Sequence, residues 1–206
     1  YYTWIDGTSG SGGEDESWGP PLDKGLEFLQ WNSFDGQPLP WVSRPDNIRN
    51  FFETGKTLQN SISLTSGSDK ADFRLSFGNY DQNGMIPNTN FERTNISLNA
   101  GANLTSKFRA EVTANYIKSG SDNIPGTGYD NNNVMQQFTW FQRNVDLEAL
   151  KDFENLPLAP EGTSAEGTPI NWNTNFNNNP YWVLHNNTNG FDKDRIIGNV
   201  RLSYDL

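Results

Sequence analysis

Between Leu58 and Lys118 the chain alternates apolar and polar residues in four consecutive segments. Leu58, Ile62 and Leu64 stand against Gln59, Ser61, Ser63 and Thr65, and Ala71, Phe73, Leu75 and Phe77 against Asp72, Arg74 and Ser76. Ile96, Leu98, Ala100 and Ala102 oppose Asn95, Ser97, Asn99 and Asn103. Phe108, Ala110, Val112, Ala114 and Tyr116 oppose Arg109, Glu111, Thr113 and Asn115, and Ile196, Gly198, Val200, Leu202 and Tyr204 repeat the pattern later. Period-two alternation predicts strands with one apolar and one polar face, here over 56–66, 71–80, 93–104, 107–118 and 194–205. The connections alternate too: tight at 67–70 and 105–107, longer at 81–92, and very long at 7–55 and 119–192. Tight turns on one side and long loops on the other predict a transmembrane β-barrel of the outer-membrane type.

Composition does not oppose this. Only 33% of residues are hydrophobic and the mean hydropathy is -0.75, yet a barrel turns only every second strand residue to lipid and keeps its loops polar. A soluble β-sandwich shows similar alternation, but a compact domain rarely carries structureless connections beyond ~15 residues. Register adds an energetic argument. A one-residue slip of 71–80 would turn Asp72 and Arg74 outward, and an Arg near the bilayer midplane costs about 2–4 kcal/mol. The expected register points Phe73, Leu75, Phe77, Ile96, Leu98, Val112 and Tyr116 to lipid, and Arg74, Asn99 and Glu111 to the lumen. Five or six strands do not close a barrel, which needs about eight, so the chain is expected to be an internal piece of a longer protein.

The formal net charge is -10, with 25 Asp and Glu against 15 Lys and Arg. That balance argues against nucleic acid as a partner, because phosphate binding draws on a surplus of Lys and Arg. Cysteine is absent and His185 is the one histidine, too few ligands for a Cys/His metal site. Asp122 and Asp130 do not fit a calcium loop. The glycine-rich 7–13 lacks the Lys and helix of a phosphate loop. No spacing singles out an acid/base pair or a nucleophile, so no catalytic residue, metal or cofactor is expected. The three glycosylation-type triplets at Asn95, Asn103 and Asn186 are a pattern common by chance.

Local structure is expected inside the long loops. Pro45 to Gly55 resembles a short helix with Asp46 or Asn47 as its cap and Gly55 as its stop. Val134 to Asp152 has a weaker helical rhythm. Asn131-Asn132-Asn133 and Asn177-Asn178-Asn179 read as turns. Six of the seven Trp lie in the two long loops. Aromatic rings there either stack on a sugar, anchor a partner, fill local cores, or sit in the interfacial aromatic girdle. Tyr129, Trp140, Phe141 and Trp172 are the candidates for contact with substrate or a capping protein.

Several blocks occur in order along the chain: Glu16-Ser17-Trp18-Gly19-Pro20-Pro21-Leu22-Asp23, then Asn47-Ile48-Arg49-Asn50-Phe51-Phe52-Glu53-Thr54-Gly55, then Arg74-Leu75-Ser76-Phe77-Gly78 with Gly84-Met85-Ile86-Pro87-Asn88-Thr89. Phe91-Glu92-Arg93-Thr94-Asn95-Ile96-Ser97-Leu98-Asn99, Asn179-Pro180-Tyr181-Trp182 and Asp194-Arg195-Ile196-Ile197-Gly198-Asn199-Val200 complete the set. Together they resemble the SusC/RagA family of TonB-dependent transporters of Bacteroidota outer membranes. The resemblance implies an all-β fold, here a segment of a ~22-stranded antiparallel transmembrane β-barrel with long extracellular loops and short periplasmic turns. The plug domain and the rest of the barrel lie outside this sequence. The implied activity is import of a large nutrient, an oligosaccharide or peptide. A SusD-like surface lipoprotein is the implied partner, TonB acts through regions outside this chain, and outer-membrane lipid surrounds the wall. Two other readings stay open: a SusC-like barrel acting as a scaffold subunit of an outer-membrane assembly, and a soluble carbohydrate-binding β-sandwich.

Overall fold

Each alternating segment forms a strand, and the computed structural model describes residues 19–206. Tyr1 to Asp6, whose sequence also reads as the top of an ascending strand, the glycine-rich 7–13, and Trp4 and Trp18 lie outside the described residues. Two short strands come first, β1 (Glu27–Phe28) and β2 (Leu39–Pro40), followed by helix α1 (Asn47–Phe51). Then come β3 (Lys56–Gly67), β4 (Ala71–Asn83), β5 (Asn90–Asn103) and β6 (Phe108–Ser121). Helices α2 (Val134–Trp140), α3 (Leu147–Lys151) and α4 (Pro180–Asn186) precede the last strand, β7 (Phe191–Tyr204). The described residues are mostly β, in two antiparallel sheets: the β1–β2 pair and a five-stranded sheet in the order β3-β4-β5-β6-β7. Among the described residues the larger sheet is open, with β3 and β7 as its edges.

The described chain divides into two units. The first is the five-stranded sheet: Thr54–Gly84, Thr89–Ile124 and Gly190–Leu206. Its tight turns are held by side-chain oxygens. Ser68 Oγ accepts from the Ala71 N–H at 3.2 Å, and Thr105 Oγ1 accepts from the Phe108 N–H at 3.0 Å. These bonds satisfy turn donors that no ladder reaches. The connection expected at 81–92 is shorter in the structure. Asp81, Gln82 and Asn83 pair with Glu92, Phe91 and Asn90, leaving a loop closed by the Gly84 N–H donating to the Thr89 carbonyl at 2.8 Å. Tyr80 and Phe91 pack edge to face at 5.9 Å across this extension, which stabilises pairs that the polar sequence alone does not announce.

The second unit collects the long connections: the described residues up to Glu53, Met85–Asn88 and Pro125–Asn189. Its core joins Phe51 of α1, Val134 and Phe138 of α2, Leu147 and Leu150 of α3, and Tyr181, Val183 and Leu184 of α4, with Phe141, Val145 and Trp172 between them. None of these helices reaches eight residues, too short to stand in water alone, so packing and caps hold them. Asn133 caps α2, Asp146 caps α3 and Asn179 caps α4 with their side chains. Asp46 sits at the cap of α1 without a side-chain bond, and the helix stops at Phe51 rather than at Gly55. Asn47 instead spends its side chain on α3: its Nδ2 donates to the Val145 carbonyl, and its Oδ1 accepts from the Leu147 N–H at 3.2 Å. No helix among the described residues is long and apolar enough to cross a membrane.

Candidate functional site

The antiparallel register fixes which residues share a face, because directly paired residues project to the same side. One set of rows reads Ile62-Phe77-Ile96-Tyr116-Ile196, Leu64-Leu75-Leu98-Ala114-Gly198 and Ser66-Phe73-Ala100-Val112-Val200. This apolar face stays open: Ile62 is 71% exposed, Ile196 78% and Val200 69%. A soluble monomer rarely leaves an apolar surface of this extent uncovered. A groove of about 630 Å³ lies at its tight-turn end, where the small Ala71, Ala100, Ala102 and Ala110 adjoin Phe73 and Val112. The groove is the relief left by small side chains among large ones.

The opposite rows read Ser63-Ser76-Ser97-Asn115-Ile197, Thr65-Arg74-Asn99-Thr113-Asn199 and Gly67-Asp72-Gly101-Glu111-Arg201. Arg74, Asn99 and Glu111 therefore share the polar face, as the alternation predicts. Near the tight turns this face carries an ion-pair network. Arg109 reaches Asp72 at 2.6 Å and Glu111 at 3.2 Å, and its Nη1 donates to Asn103 Oδ1 at 3.3 Å. Gly101 lies beneath the guanidinium, and a Cβ there would collide with it. At the other end, Tyr80, Phe91 and Phe191 form an aromatic run, with Arg93 Cζ 5.8 Å from the Tyr80 ring centre.

In the second unit the four aromatic candidates separate into two pairs. Phe141 and Trp172 are core residues, 9% and 1% exposed, with rings edge to face at 5.3 Å. The expectation that they touch substrate or a capping protein is corrected: they pack the loop unit, and neither presents a ring outward. Tyr129 is 86% exposed and Trp140 38% exposed, and both remain accessible. Sequence reasoning passed over α4 and the β1–β2 hairpin. Asn-Pro at 179–180 marks the helix start, while two-residue strands have no periodic signal.

Among the described residues, two titratable groups outside the sheet are shifted. Hydrogen bonds from the Ser43 hydroxyl and N–H, at 2.6 and 2.9 Å, hold the Asp23 carboxyl below its ordinary value. Burial, reinforced by the charges of Glu148 and Glu53, pushes the Tyr181 phenol up to about 12. His185 donates through Nδ1 to the Tyr181 carbonyl at 2.8 Å and lies against Phe153, so both ring and proton are used in packing α4. Among the described residues no three His, Cys, Asp or Glu side chains are grouped to hold a metal. No protein-family model and no curated protein matches the chain.

Proposed function

We propose that this chain is a stretch of the wall of an outer-membrane, TonB-dependent importer of the SusC/RagA type, with the apolar sheet face in lipid and the polar face lining the lumen. The observation that carries the reading is the two-faced sheet with its apolar side uncovered. Phe108 pairs with Tyr204 at one end of that side, and Tyr116 stands at the other. The stretch between them on β6 rises about 27 Å at ~3.4 Å per residue. At a strand tilt of ~40° it spans roughly 21 Å along the membrane normal, most of the ~25 Å apolar band, bordered by aromatic girdles, of outer-membrane barrels. The edges support it as well. β3 and β7 run 12 and 14 residues, and long unprotected edges are a liability that barrel closure removes.

In this arrangement the tight turns face the periplasm, and the long connections lie outside the cell and offer the seat of a SusD-like lipoprotein. The imported nutrient is an oligosaccharide or peptide too large for a porin. Spin labels placed one at a time along residues 71–80 of the full-length protein in lipid vesicles test the reading. Accessibility to a lipid-soluble and a water-soluble quencher alternates with period two if the sheet is a barrel wall. Water contact at every position overturns it.

A further inference from the structure

We propose that the polar face of the sheet recognises a negatively charged oligosaccharide, so that the nutrient carries acidic sugars. The inference rests on the importer reading above and narrows its substrate class. The chain as a whole is acidic, with 25 Asp and Glu against 15 Lys and Arg. On the polar face of the strands that balance reverses. The register places Arg74, Arg93, Arg109, Lys193, Arg195 and Arg201 there against only Asp72 and Glu111. The acids collect on the other side, where Asp81, Glu92, Asp192 and Asp194 stand above the apolar band with Lys56 and Lys118.

Both acids of the polar face are already engaged, Asp72 by Arg109 and Glu111 by Arg109 and Arg201. Arg74, Arg93, Lys193 and Arg195 have no carboxylate partner among the described residues and are exposed. A face that were merely solvated would follow the chain's acidic bias. This one opposes it. Cations lining a lumen select anions, and low-dielectric walls focus their field on whatever passes.

Geometry narrows the ligand further. Arg93 and Lys193 align across Ser119, two strand spacings or ~10 Å apart, and Arg195 follows one row on, ~7 Å along β7. Tyr80, Phe91 and Phe191 occupy the same end of the face. A pyranose ring stacks on an aromatic face while its carboxylate or sulfate takes the fork of an adjacent guanidinium. An acidic peptide would answer the charges but has no comparable ring to lay on the aromatic run.

Calorimetry on the full-length transporter in detergent tests this with four probes of matched length: oligogalacturonate, a sulfated galactan oligomer, a neutral galactan oligomer and oligoglutamate. One of the two acidic sugars is expected to bind about tenfold or more tighter than the neutral one, with affinity falling as salt rises. The R93Q/R195Q double variant should lose that preference while keeping its thermal unfolding and its spin-label alternation. Equal affinity for neutral and acidic sugars, tighter binding of oligoglutamate, no binding of any probe, or an unchanged double variant overturns the inference. Lipid–water alternation that persists without an acidic-sugar preference leaves the importer reading standing. Its loss in wild type removes that reading itself.

Discussion

The side chain of Asn179 joins α4 to α3: its Nδ2 donates to the Leu150 carbonyl at 2.9 Å, while its Oδ1 accepts from the Tyr181 and Trp182 N–H groups that open α4. Asn179 is fully buried. Asn179→Ala removes a cap worth about 1 kcal/mol and strands a buried carbonyl at about 1–3 kcal/mol. Hydrogen exchange should show lost protection in Pro180–Asn186 and Leu147–Lys151, with β4 to β6 unchanged. Unaltered protection in both helices would mean the bond holds nothing together.

Alkali should attack the same unit through Tyr181. Its phenol is pushed up to about 12 chiefly by burial, whereas an unfolded tyrosine ionises near 10. Below pH ~10 both states are neutral and the phenol makes no difference. From there up to about 12 the unfolded state sheds a proton that the folded state keeps, so stability falls as pH rises. Tyr181→Phe should flatten this alkaline loss in the protection of α4. A variant as alkali-sensitive as the wild type would contradict the assignment.

The two sheet faces can be separated by a single charge. Leu75→Arg places a guanidinium on the apolar face, and Ser76→Arg places one on the polar face beside it. In lipid vesicles the first should cost about 2–4 kcal/mol in the folding of the full-length protein, and the second near nothing. Equal small costs at the two positions would argue that water bathes both sides.

The strands were legible because period-two alternation is a direct image of a sheet with unlike faces, and the register followed from keeping Arg74 and Glu111 off the apolar side. Strand ends were not. Asp81, Gln82 and Asn83 are polar on both faces, so nothing in them distinguishes ladder from loop, yet they pair through Glu92, Phe91 and Asn90. Within the long connections, Asn177-Asn178-Asn179 looks like a turn, and only the following Pro180 at the first helical position reveals a capped helix. The aromatic candidates were the least legible. A Trp that fills a core and a Trp that meets a ligand are the same letter, and what distinguishes Trp172 from Trp140 is which rings fold over it.

That distinction is itself testable. Trp172→Ala empties a site that is 1% exposed and should cost about 3–5 kcal/mol, seen as collapse of exchange protection throughout the loop core around Phe138 and Leu150. Tyr129→Ala and Trp140→Ala remove exposed rings and should leave that protection intact. Exposed aromatic rings are the usual anchors of a partner surface, and a seat for a permanent lid buries on the order of 2,000 Å² or more. The Tyr129 and Trp140 variants of the full-length protein should therefore retain less of a SusD-like lipoprotein on purification in mild detergent, read by mass spectrometry. Full retention in both variants, with the loop core still protected, would move the docking surface away from these two rings, and recovery of the wild-type protein without any lipoprotein would remove the lid from the reading.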